Sequence, residues 1–144
     1  MARFSLALLS LCVAACTLAA PMQRRQTGDL QCNLARLQII ADVASAETLL
    51  GQINATDLAT ASAVAVAQTG LKSVDTAIQT ILAAVLQGNT APPETRDQVG
   101  NGLTAAQTAL KSITDPSVNA SVAAVQAKIA SAGVDGNNVV AECK

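Results

Sequence analysis

Apolar residues recur at intervals of three and four through most of the chain, the spacing of amphipathic helices. From Asp29 to Ile53 the stripe reads Leu30, Leu34, Leu37, Ile40, Val43 or Ala44, and Leu50, with Asn54-Ala55-Thr56 expected to end this helix and cap the next. A second stripe of Val64, Leu71, Val74, Ile78, Ile81 and Val85 predicts a helix from about Asp57 to Gln87, stopped by Gly88-Asn89. Thr90-Ala91-Pro92-Pro93 is the clearest break, and proline there suits the first turn of a third helix, with Glu94 and Asp97 favourable for its dipole. That helix uses Val99, Leu103, Ala106, Leu110 and Ile113. Asp115-Pro116 then opens a fourth, with Val118, Val122, Val125 and Ile129, ending before Gly133; Val134 to Lys144 reads as an irregular tail.

The fold class is therefore all-α, an antiparallel bundle of four helices, or five if Gly70 makes a turn rather than a kink in the second. Cysteine placement bears on the count. Once the first 25 residues are removed, only Cys32 and Cys143 remain, one near each end. Four antiparallel helices joined by short loops return the last to the end where the first began, so these two thiols meet; an odd number separates them. Free thiols are the alternative, disfavoured in an oxidising compartment. The bond closes a loop of about 110 residues, which chain entropy credits with up to about 4 to 5 kcal/mol.

The removal of those residues rests on the N-terminus. Arg3 supplies a basic start, Phe4 to Leu18 is apolar, and Ala19-Ala20 are small, the pattern of a secretory signal over residues 1–20 with Ala20 as a cleavage position. The apolar run stops near fifteen residues, short of the ~20 that span a bilayer, so no transmembrane segment is expected in the mature protein. Residues 21–25 form a short propeptide closed by the dibasic pair Arg24-Arg25, a site for a kexin-type protease; the alternative is a solvated charge pair on a terminus. A single domain over 26–144 follows, 119 residues long. Export to the extracellular space or a cell wall is expected.

Three of the nine basic residues leave with that segment and no acid does, taking the formal charge from −1 to about −4. The remaining cations are scattered, so no basic patch tracks a phosphate backbone, and nucleic acid is not an expected partner. Asn54-Ala55-Thr56 and Asn119-Ala120-Ser121 satisfy the N-glycosylation pattern at surface positions near helix starts.

The chain holds no His, Trp or Tyr, and its single Phe lies in the signal. No imidazole base exists, the acids sit mostly at helix ends and polar faces, and no nucleophilic triad, P-loop or dinucleotide loop is present. A non-enzymatic protein with no catalytic residue, metal site or cofactor is expected. The octapeptides starting at Ala46, Ala67 and Ala106 share Ala-Gln/Glu-Thr-x-Leu-x-x-Ile/Val, but at irregular spacing, which favours convergent helix composition over duplication.

What remains is an interior of Val, Ile, Leu and Ala. Such an interior is either a plain packed core or an acyl pocket lined by Leu37, Ile40, Leu71, Val74, Ile78, Leu103, Leu110, Val122 and Val125. A third use is adsorption, with helices opening to lay their apolar stripes on wax, lipid or a hydrophobic solid. The signal ending Leu18-Ala19-Ala20-Pro21, the dibasic Arg24-Arg25, and a Leu/Val/Ala-rich helical domain containing Leu71-Lys72-Ser73-Val74-Asp75-Thr76-Ala77-Ile78 resemble the small secreted fungal proteins of the hydrophobic surface-binding protein A and cell-wall galactomannoprotein type. The likeness spans most of the mature chain. It implies a helical bundle in the cell wall or culture fluid that adsorbs to hydrophobic surfaces or holds lipid between its helices. The alternative is a structural wall component or secreted effector acting on a wall polysaccharide or protein through a glycosylated face.

Overall fold

The computed structural model describes residues 30–143. The expected signal, the propeptide, and the processing positions Ala20, Arg24 and Arg25 lie outside the described residues. Four α-helices follow one another with no strand among the described residues: α1 (Leu30–Gly51), α2 (Leu58–Leu86), α3 (Pro93–Lys111) and α4 (Asn119–Glu142), the last entered through one 3-10 turn, Pro116–Val118. They pack as an antiparallel bundle whose core draws on all four.

The helix boundaries have local causes. Asp57 caps α2, its carboxylate accepting from the Thr60 amide at 2.8 Å while the Thr60 hydroxyl donates back at 2.6 Å. The cap expected from Asn54-Ala55-Thr56 is thus one residue later, because only Asp57 stands three residues before a matching hydroxyl. At its other end α2 closes with Gly88 at φ +73°, Gly88 N–H donating to Val85 O and Asn89 N–H to Ala84 O. That reversed pair of bonds requires a left-handed residue, which glycine supplies without steric cost. Pro93 opens α3, and Asp115 accepts from the Ser117 amide to start the 3-10 turn.

Gly70 neither breaks nor turns α2, which runs 29 residues through it, so there are four helices and not five. Its role is in packing. A Cβ at Gly70 would stand 2.8 Å from the carbonyl oxygen of Gly102, and one at Gly102 would stand 2.7 Å from that of Gly70 and 2.6 Å from Val74 Cγ2. The two glycines let α2 and α3 meet backbone to backbone.

Two expectations are corrected. The irregular tail is helical: α4 continues through Gly133 and Gly136 to Glu142. Each glycine costs a helix up to about 1 kcal/mol, but Ala132 is fully buried, Val139 packs against the core, and the helix delivers Cys143 to Cys32, with Cα atoms 5.1 Å apart. The disulfide is formed as parity requires. The buried face of α1 is also not the leucine stripe. Leu30, Leu34 and Leu37 are 80, 45 and 63% exposed; the helix buries the expected Val43 and Leu50 together with Cys32, Ala35, Ile39 and Ala46. Small residues at 32, 35 and 46 let the α4 backbone approach where leucines would hold it away.

Candidate functional site

The packing is uneven between neighbours. The extensive helix contacts are α2 with α3 and α1 with α4; α1 with α2 and α3 with α4 approach closely over far less of their length. The bundle is thus two tight pairs. Within the α2/α3 pair, besides the glycine crossing, Gln98 Nε2 donates to the Ser73 carbonyl and hydroxyl oxygens at 3.2 Å each. Within the α1/α4 pair stand the Cys32–Cys143 bond and an ion pair, Lys128 Nζ to Asp42 Oδ1 at 2.9 Å. Hydrogen bonding from Ser131, helped by the Lys128 ammonium, holds the Asp42 carboxyl below its usual range against the opposing effect of burial.

Between the pairs lies the aliphatic interior. Leu71, Val74, Leu110 and Val125 are fully buried there, Ile78, Leu103 and Val122 nearly so, and Ile40 is half-buried at the edge. Leu37, expected to line the same interior, faces out for the reason given above. Between α2 and α3 themselves the backbone contact at Gly70 and Gly102 leaves no space for an acyl chain. Over that crossing the outer surface carries a shallow open depression of about 530 Å³, bordered by Val66, Thr69, Asn101 and Ala105.

Antiparallel order sorts the molecule into two ends. At the cystine end lie the start of α1, the close of α2, the start of α3 and the close of α4. At the opposite end lie the α1–α2 and α3–α4 connections. Among the described residues nine large aliphatic side chains are exposed, and seven of them, Leu30, Leu34, Leu37, Leu82, Leu86, Val134 and Val140, fall at the cystine end, within ~12 Å of a helix terminus. Both sequon asparagines, Asn54 and Asn119, are exposed at the opposite end. There the Thr56 hydroxyl donates to Asp115 Oδ2 at 3.1 Å, tying the two connections together.

The gathering of aliphatic residues at one end is the feature that stripe reading missed. The signal was present: parity alone puts the start of α1 beside the close of α4, and residues off each buried stripe can then be grouped by end. The Asp42–Lys128 pair had no local signal, since 86 residues separate its members.

Three of the described acids, Asp42, Asp57 and Asp115, are committed to structural hydrogen bonds. Asp57 and Asp115, like Asp42, are held below the usual carboxylate range, chiefly by hydrogen bonds from Thr60 and Ser117 respectively. Among the described residues no group of three His, Cys, Asp or Glu side chains gathers to hold a metal, and no helix is long and apolar enough to cross a membrane. Compared with known proteins, the chain matches no family model, no curated protein and no solved structure.

Proposed function

We propose that the chain is a secreted, non-enzymatic protein that adsorbs to hydrophobic surfaces or lipid through its cystine end. One observation carries this: seven of the nine large aliphatic residues exposed among the described residues lie at that end, while both sequons lie at the other. Clustered apolar surface is unfavourable in water and favourable against an apolar phase at roughly 25 cal/mol per Å² removed from water. Glycans on Asn54 and Asn119 would then point away from the surface into solvent.

Replacing Leu30, Leu34 and Leu37 together with serine tests the reading. Because these side chains are exposed, the fold should tolerate the change, with each site shifting stability by no more than about 0.5 kcal/mol. Retention on octyl-coated beads should fall at least tenfold with the circular dichroism spectrum unchanged. Equal retention of the variant and the parent would sink the reading. The exposed sequon end favours a second reading, a wall component recognised through its glycans, which predicts instead that removing Asn54 and Asn119 abolishes wall association while the serine variant retains it.

A further inference from the structure

We propose that the bundle is a clamshell, in which the α1/α4 and α2/α3 pairs part at the cystine end and turn about the two connections at the sequon end, so that the aliphatic seam between the pairs becomes the adsorbing surface. This inference rests on the surface-binding reading above.

The connectivity permits it without breaking a covalent link or unfolding a helix. Cys32–Cys143 joins α1 to α4, which belong to the same pair, and residues 87–92 join α2 to α3, which belong to the other. The disulfide and the 87–92 connection, both at the cystine end, therefore each hold a pair together rather than closing the seam. The chain crosses from one pair to the other only at 52–57 and at 112–118, both at the sequon end. Thr56 to Asp115 ties these crossings at the hinge itself. Two polar links along the helices follow the same division: Lys128 to Asp42 lies inside one pair, and Gln98 to Ser73 inside the other.

The two interfaces also differ in kind. Within α2/α3 the backbones touch through Gly70 and Gly102, a contact with directional shape that no flat apolar surface reproduces. The core that the four helices share is filled instead by branched aliphatic side chains, Leu71, Leu110 and Val125 among the fully buried ones. Their burial is non-directional, so an external apolar phase replaces it nearly in full. Leu82 and Leu86 already lie exposed at the mouth and would make first contact. The charge at that end selects an uncharged phase: among the described residues there, Glu94, Asp97, Asp135 and Glu142 outnumber Arg36 and Arg96, which opposes attraction to an anionic bilayer.

Spin-label pairs at exposed positions test it in the full, disulfide-intact chain from a secretory host, free and adsorbed on octyl-coated beads. Gln38→Cys with Thr80→Cys spans the seam at the mouth, and Glu47→Cys with Ala61→Cys spans it at the hinge. Gln38→Cys with Asn137→Cys reports on the α1/α4 pair, and Thr80→Cys with Arg96→Cys on α2/α3. On adsorption the mouth distance should lengthen by more than about 10 Å, one interaxial spacing, with the hinge and within-pair distances nearly constant. Adsorption with the mouth distance unchanged would overturn the clamshell and leave surface binding standing. Lengthening of the within-pair distances as well means unfolding on the surface and also overturns it. Failure to adsorb removes both.

Discussion

The two helix pairs reach the same closeness by different means. The α2/α3 pair is contiguous in sequence, its helices joined by six residues, and its intimacy comes from the absence of side chains at Gly70 and Gly102. The α1/α4 pair brings together the first and last described helices, and it supplies with chemistry what chain continuity cannot: a disulfide where the other pair has a loop, and an ion pair between residues 86 apart. Closing a long loop is entropically costly, and a cross-link that shortens the accessible conformations of the unfolded chain offsets that cost. The contrast implies that each pair fails to a different insult.

The largest effect is expected from the disulfide. Replacing Cys32 and Cys143 with serine should lower stability by about 4 kcal/mol, near the upper range for a loop of this length, seen as a drop in thermal midpoint. Hydrogen exchange sharpens the comparison: protection should fall first in α1 and α4 and persist longest in α2 and α3. A uniform loss across all four helices would mean that the pairs are not separate units.

Next in size is the complementary break. Gly102→Ala places a methyl group 2.7 Å from the Gly70 carbonyl oxygen and 2.6 Å from Val74 Cγ2, and backbone cannot yield as a side chain end does. Overpacking costs about 1 to 3 kcal/mol, against up to about 1 kcal/mol gained in helix propensity, so a net loss near 1 to 2 kcal/mol is expected in urea unfolding. Gly100→Ala and Gly133→Ala are the controls. Nothing lies within 4 Å of either position, so both should stabilise by up to about 1 kcal/mol.

These glycines show where the amino-acid pattern was informative and where it was silent. Proline pairs, caps and stripe spacing sufficed for four helices, and the parity of antiparallel helices sufficed for the disulfide, because both are set by local chemistry and chain order. Periodicity could not choose a face on α1, where leucines at 30, 34 and 37 compete with Cys32, Ala35 and Ile39. The winning face was decided by how near α4 must come, a property of another helix. Gly70 read as a local kink or turn because its partner, Gly102, lies 32 positions further on and only the crossing connects them. Gly133 misled in the same way, as contacts from Ala132 and Val139 outweigh its helix penalty. The apolar cystine end was legible only in part, since its α1 leucines were assigned to the core.

The smallest predicted effect tests whether the ion pair matters to the α1/α4 half beyond the disulfide. Lys128 is 44% exposed on its side chain and Asp42 only 13%, so solvent screens the pair and Asp42→Asn should cost only about 1 kcal/mol. The sign of its pH dependence is fixed by the direction of the shift. Asp42 is held below its ordinary value of 3.8, so the folded state binds a proton less readily than the unfolded chain, and its contribution is present in full above that value and disappears as pH falls through the lowered one. The stability difference between the parent and Asp42→Asn should therefore be constant from neutral pH down to about 5 and shrink toward zero in stronger acid. Asp57 and Asp115 shift in the same direction but remain in both proteins, so their acid losses cancel in the difference. A difference that grows on acidification would show that Asp42 is strained rather than stabilised, and that the cystine alone fastens α1 to α4.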